Sequence, residues 1–175
     1  MENSEKINVL ISEEEIEKRI KELAEEINND FRGEKVIIIG VLKGSFMFLS
    51  DLVKKINLDT EIYFIEVSSY GDGTTTSGVV QMKKDIDRDI KDENVIIVED
   101  IIDTGITMSK VMEIIKFRGA KTVRLASCSS KPARRRVEVD IDYLGFEVED
   151  KFIVGYGLDC AQKYRNLPYI GVVEE

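Results

Sequence analysis

Short runs of β-branched apolar residues alternate along this chain with stretches in which apolar residues recur every three or four positions. Ile16, Ile20, Leu23, Ala24 and Ile27 fall on one helical face, and Ser12 followed by Glu15 makes a capping-box pattern ahead of them, so the spacing predicts an amphipathic helix ending near Asn29. KVIIIGV (35–41) shows no polar alternation, which suits a strand covered on both faces, and SFMFLSDLVKKI (45–56) has helical spacing with Ser45 as its cap. TEIYFIEV (60–67) reads as a strand, and the glycine-rich SSYGDGTTTSG after it as a loop. VIIV (95–98) is a further buried strand. From about Thr104 a helix turns Val111, Met112 and Ile115 inward and stops at Gly119, and KTVRLASCS (121–129) is again a strand. FEVEDKFIVGYGLD (146–159) and YIGVV (169–173) read as short strands and loops forming a cap or edge. The alternation implies an α/β fold with a central parallel sheet flanked by helices, and ligands bind such sheets at the carboxyl ends of the strands.

At 175 residues the chain suits one domain, residues 1–175, with no repeat or linker. Apolar residues at 43% and charged residues at 34% are an ordinary globular balance, and no apolar run approaches the ~18 residues of a membrane span. The N-terminus lacks the basic start and apolar stretch of a signal peptide, so the expected compartment is the cytoplasm and no membrane partner is expected. The net charge of −9 opposes nonspecific attraction to nucleic acid. Cys128 and Cys160 stand far apart with no C-x-x-C pattern, which points to reduced core thiols rather than a disulfide or zinc site. The chain contains no histidine, which excludes histidine catalysis.

The chemistry concentrates in VIIVEDIIDTGIT (95–107). VIIV forms the strand, EDIIDTGIT the loop leaving its carboxyl end, and TMSKVMEIIKF the helix that follows. The turn Thr104-Gly105-Ile106-Thr107 at a helix N-terminus can wrap a phosphate: backbone N–H groups point outward, Gly105 allows close approach and two threonines add hydroxyls. Glu99, Asp100 and Asp103 suit sugar hydroxyls, a magnesium shell or a proton to be moved. Together these features point to a phosphorylated sugar. Three other readings fit parts of the stretch. Asp103 with Thr104 could be helix caps; D-T-G matches an aspartic-protease loop, though that chemistry needs a second lobe and an all-β setting; and the acidic pair resembles the magnesium site of a receiver domain, whose other residues are not in place.

VIIVEDIIDTGIT closely resembles the phosphoribosyl-pyrophosphate (PRPP) motif of the type I phosphoribosyltransferases, and EDIIDTG resembles their hypoxanthine-guanine branch. GVLKGSFMFLSDL (40–52) is similar to the family's pyrophosphate loop, VSSYGDGTTTSG (67–78) to its mobile catalytic loop, and KPARR (131–135) with the C-terminal segment to its purine hood. The resemblance runs from about residue 36 to 173. It implies a type I phosphoribosyltransferase fold with a small hood formed by the N- and C-terminal segments, and transfer of a phosphoribosyl group from PRPP to a purine base with magnesium as cofactor. It assigns the 5-phosphate to Asp103, Thr104, Gly105, Ile106 and Thr107, and the ribose hydroxyls and magnesium to Glu99 and Asp100, with Asp159 at a second magnesium. Ile106 stands where some relatives carry lysine, a departure of small effect where the backbone does the binding.

The resemblance further assigns pyrophosphate to Lys43, Gly44 and Arg165, with a cis peptide from Leu42 into Lys43. Asp103 would be the general acid or base beside the purine's imidazole nitrogen, and Ser69 and Tyr70 would close over the site. Lys131 would bond the oxygen at the purine's six position, Phe152 would stack on the ring and the Ile153 backbone would meet the two-position edge. Relatives imply a homodimer or homotetramer. Among Lys131 to Arg136, Arg134 and Arg136 read as solvated loop residues. The contrasting class is a PRPP-sensing, nucleic-acid-binding regulator on the same fold, which need not retain the catalytic and purine-contact positions.

Overall fold

The computed structural model describes residues 6–69 and 79–174. Its elements in chain order are β1 (Ile7–Ile11), α1 (Glu13–Asp30), β2 (Lys35–Leu42), α2 (Phe46–Val53), β3 (Asp59–Ser69), β4 (Val80–Lys84), β5 (Asn94–Ile102), α3 (Ile106–Phe117), β6 (Thr122–Ser130), a 3₁₀ turn (Pro132–Arg134), β7 (Tyr143–Glu147), β8 (Ile153–Val154) and β9 (Ile170–Val173). The main sheet has the order β4-β3-β2-β5-β6-β7, with β3, β2, β5, β6 and β7 parallel and β4 antiparallel to β3. A second, antiparallel sheet of order β1-β9-β8 brings the N-terminal strand against the last two. Among the described residues no helix is long and apolar enough to cross a membrane.

Alternation within the apolar strands divides the core in two. Val36 and Ile38 of β2, Ile96 and Val98 of β5 and Ala126 of β6 pack with Ile16, Ile20 and Leu23 of α1 and Phe48 and Leu52 of α2. Ile37, Ile39, Val95, Ile97 and Leu125, one residue out of phase, pack on the other face with Val111, Met112 and Ile115 of α3. A strand with both faces covered needs apolar residues at every position, and each fully buried branched side chain contributes about 1.5–3 kcal/mol.

α1 begins with the reciprocal cap expected of it: Glu15 N donates to Ser12 Oγ at 3.1 Å and Ser12 N to Glu15 Oε2 at 2.8 Å. Ser45 does not repeat it. Its backbone is already helical (φ −74°, ψ −8°), whereas the capping Ser12 is extended (φ −73°, ψ 161°), so the Ser45 hydroxyl makes no cap bond and lies fully buried without a partner among the described residues.

Other expectations change at element ends. β3 continues through Val67, Ser68 and Ser69 to pair with β4, a strand the sequence reading lacked. β5 runs on through Glu99 and Asp100 to Ile102, so the acidic pair belongs to the strand and not to a loop. α3 starts at Ile106 rather than about Thr104. β7 joins the main sheet beside β6. Cys128 is buried, and desolvation pushes its thiol far above its ordinary range; Cys160 is only half-buried and is not a core residue.

Polar contacts gather at the amino ends of the parallel strands. Glu61 takes Lys35 and Arg88, the latter also pairing with Glu93 at 2.8 Å. Asn94 donates to Glu34 at 2.7 Å and accepts from Thr122 at 2.9 Å, and Tyr143 donates to Asp30 at 2.6 Å. The opposite edge, at the carboxyl ends, is left to other chemistry.

Candidate active site

The carboxyl ends of β2 and β5, the turn entering α3 and the segment after β8 surround a cleft of about 510 Å³. Lys43, Gly44, Glu99, Asp100, Asp103, Thr104, Gly105, Thr107, Asp159 and Arg165 all line it, together with Val67 and Ser68 of β3. Lys131, Phe152, Ile153 and Ile106 do not line it. Ser69 ends β3, and Tyr70 lies outside the described residues.

Two glycines set how close the walls come. The Leu42–Lys43 peptide is cis, and Gly44 follows it directly against Asp100: a Cβ there would stand 1.7 Å from Asp100 Oδ2. On its other side Gly157, at φ +97°, packs so tightly that its own Cβ would meet Gly44 O at 1.9 Å. The loop after β2 is thus gripped between the acidic strand and the segment after β8.

Glu99 and Asp100 each accept the next residue's N–H, Asp100 N to Glu99 Oε1 at 2.9 Å and Ile101 N to Asp100 Oδ1 at 2.7 Å. Burial first, then the neighbouring Asp100 carboxyl, hold Glu99 well above the ordinary carboxylate range; burial also raises Asp100, against the opposing pull of Glu99 and Arg165. Two adjacent half-buried acids with raised proton affinity form a site that a divalent cation would discharge. Among the described residues no group of three or more potential ligands surrounds a metal position. Two adjacent carboxylates offer the hard oxygen donors of a cation that takes one or two carboxylates and completes its shell with ligand oxygens and water, as magnesium does.

The turn before α3 is open to an anion. Gly105 occupies the N-cap position at φ +82°, and no side-chain oxygen among the described residues caps the helix; only Ile106 N reaches Thr104 Oγ1, at 3.4 Å. A Cβ on Gly105 would lie 2.3 Å from Val137 O, so glycine is needed both for the backbone angle and for the close approach. Thr104 O accepts from Arg136 N at 2.9 Å and Val137 N at 3.1 Å, fixing the turn to the loop after β6. N–H groups at a helix start, with the dipole behind them, make a phosphate seat.

Asp103 is half-exposed, its Oδ1 2.9 Å from Arg134 Nε but off the N–H axis, so the contact is ionic and not a hydrogen bond. Arg134 is therefore not the simple solvated residue that the basic run implied. Arg135 is engaged as well, donating from Nε to Asp103 O at 3.1 Å and from Nη2 to Ser130 Oγ at 2.6 Å. With two of the four cations in this run committed to internal contacts, a nucleic-acid patch here is weakened.

Lys131 is buried, and its N–H donates to Ile102 O at 2.9 Å, which sets it beside the end of β5, next to where Asp103 leaves the strand. Phe152 is 56% exposed, and the Ile153 side chain is buried, leaving only its backbone for a ligand. Asp159 and Arg165 pair at 3.2 Å, and Arg165 also donates to Gly157 O at 2.6 Å and Gln162 Oε1 at 3.1 Å.

A family model described as "Phosphoribosyl transferase domain" matches residues 10–161. The chain is 46% identical to the hypoxanthine-guanine phosphoribosyltransferase of Bacillus subtilis, over 95% of this chain and 92% of that protein. It is also 46% identical to the bifunctional protein TilS/HprT of Listeria monocytogenes, over 95% of this chain but only 26% of that protein, so it spans about a quarter of the bifunctional relative's length. A crystal structure of a hypoxanthine-guanine phosphoribosyltransferase from Bacillus anthracis superposes with a TM-score of 0.93 at 47% identity, covering 98% of this chain and 100% of that one.

Proposed function

This chain belongs to the phosphoribosyl transferase family, and from that premise we propose that it is a purine-salvage enzyme, transferring the 5-phosphoribosyl group of PRPP to hypoxanthine or guanine to give IMP or GMP and pyrophosphate. The observation that carries the reading is the convergence, on one cleft, of an uncapped glycine-led helix start, a half-buried acidic pair and the Lys43-Gly44 loop. These match the three parts of PRPP: a phosphate, a polyhydroxylated ring and a pyrophosphate.

In this reading the backbone from Asp103 to Thr107 and the two threonine hydroxyls hold the 5-phosphate, while Glu99 and Asp100 face the ribose hydroxyls. Glu99 and Asp100 would also hold one magnesium and Asp159 would help hold a second, and the metal would supply positive charge to the pyrophosphate oxygens. As the bond from the anomeric carbon to pyrophosphate breaks, its electron pair leaves on oxygen, and Lys43 and Arg165 stabilise that growing negative charge. One imidazole nitrogen of the purine forms the new bond to carbon, while Asp103 accepts the proton from the other. Lys131 donates to the oxygen at the six position, Phe152 stacks on the ring and the Ile153 backbone meets the two-position edge.

Purified protein supplied with magnesium and PRPP is expected to convert hypoxanthine to IMP and guanine to GMP, followed by ultraviolet absorbance. No change with either base would refute the proposal. Adenine is expected to fail, because its amino group cannot accept from Lys131; comparable turnover of adenine would remove Lys131 from base selection.

A further inference from the structure

We propose that Arg134 is a positioning residue for the Asp103 carboxylate, holding the proton acceptor in the direction the purine requires; the inference rests on the transfer reaction proposed above. The sequence offers Arg134 only as one cation in a basic run, but the structure fixes it on both sides. Ahead of it, Lys131 N donates to Ile102 O at 2.9 Å and Arg134 N to Lys131 O at 3.1 Å. Behind it, Arg135 reaches Asp103 O, and the N–H groups of Arg136 and Val137 both end on Thr104 O. The 3₁₀ turn carrying Arg134 is thereby tied to the same two residues, Asp103 and Thr104, that lead into α3. Its guanidinium reaches Asp103 from a fixed base rather than from a free loop.

The guanidinium then spans two acids from separate segments. Nε stands 2.9 Å from Asp103 Oδ1, and Nη1 stands 3.6 Å from Asp150 Oδ1, two residues before Phe152. Ionic contact with two carboxylates on separate segments holds the planar guanidinium between them, and its charge draws Asp103 Oδ1 to that side of the turn. Asp103 Oδ1 is otherwise buried without a hydrogen bond among the described residues. Arg134 is thus the group that sets where this carboxylate points. During transfer a purine N–H bond breaks, an O–H bond forms on Asp103, and the ring's electrons form the new carbon–nitrogen bond as pyrophosphate departs. Arg134 gives up no proton in this step. Both partners are about half-exposed, so the pair contributes little to folding, and its loss is expected to appear in rate and not in stability.

The test is a double-mutant cycle of Arg134→Gln and Asp103→Asn, with Arg136→Gln as a control that alters an exposed cation of the same run. Arg134→Gln is expected to lower kcat by ~10-fold or more, with KM for PRPP within about threefold and the melting temperature unchanged. In the Asp103→Asn background the same substitution is expected to cost nothing further, because the group it acts through is gone. Arg134→Lys, which keeps the charge but not the fork, is expected to fall between Arg134→Gln and the unmodified protein, and Arg136→Gln is expected to keep kcat within about twofold. An equal fold-loss in both backgrounds, an effect confined to KM for PRPP, or an unchanged kcat overturns the inference while leaving the transfer reaction standing. If the unmodified protein forms neither IMP nor GMP, both fall together.

Discussion

Gly44→Ala tests how tightly the site is built. Gly44 is not among the positive-φ positions, so alanine suits its backbone and the substitution perturbs space alone. The new Cβ would stand 1.7 Å from Asp100 Oδ2 and 2.6 Å from Asp100 Cγ, so one side must retreat by roughly 1.7 Å to reach ordinary contact at 3.4 Å. Neither side is free to do so. Asp100 Oδ1 is held by Ile101 N at 2.7 Å and its carbonyl by Ser129 Oγ at 3.0 Å, while Gly157 is packed against Gly44 O from behind. Overpacking of this kind costs about 1–3 kcal/mol, a drop of ~2–10 °C in melting temperature for a chain of this size. A misplacement beyond about 1 Å beside the reacting atoms is expected to lower kcat/KM for PRPP ~100-fold or more. Initial rates against PRPP at saturating guanine and thermal melting measure the two effects. Adding Asp100→Ala removes the obstructing carboxylate, so the double variant is expected to recover much of the melting temperature lost in Gly44→Ala, though not activity. A single variant with kcat/KM within about threefold of the parent and an unchanged melting temperature would show that the loop has slack and refute the clamped geometry.

Glu99, raised by burial and by Asp100, contributes to stability fully at low pH and loses that contribution as pH rises through its elevated value. Glu99→Gln is therefore expected to raise the melting temperature of the ligand-free protein near neutral pH while weakening calorimetric binding of magnesium-PRPP by about tenfold or more; a lower melting temperature would reverse the assigned sign. Glu61 is the opposite case, lowered from 4.5 to about 2 chiefly by Lys35 and then by the Tyr63 hydroxyl. Its contribution is present above pH 4.5 and is lost as pH falls towards 2. Glu61→Gln is expected to denature more easily than the parent at neutral pH, with the gap closing across that acid window; a gap independent of pH would exclude the ion pair as its cause.

The alternating core was legible because β2 and β5 are covered on both faces, so Val36 to Val41 and Val95 to Val98 needed no polar positions. The end of β5 was not. Charge normally ends a buried run, and nothing local reveals that Glu99, Ile101 and Ile102 face Ser127, Ser129 and Ser130 of β6, small partners that let the strand continue. β1 was missed for a related reason: three of its five residues are exposed, and its partner β9 lies at the far end of the chain. In the candidate site, the glycine and threonines of the turn announced an anion seat through backbone requirements, which a sequence carries directly. Ser45 and Arg134 were misread because a hydroxyl's capping geometry and an arginine's partner depend on backbone angles and on a loop fold that residue types do not encode.

The separation of the sheet's two edges has a practical outcome for anyone redesigning this protein. The ionic rim around Lys35, Glu61, Arg88 and Asn94 lies six residues along β5 from Asp100, roughly 20 Å away at the rise of a strand. Changes at that distance combine nearly independently. Tolerance to heat, acid or salt can be bred into the lower rim by mutagenesis libraries, while the upper rim is left to a separate campaign on base preference.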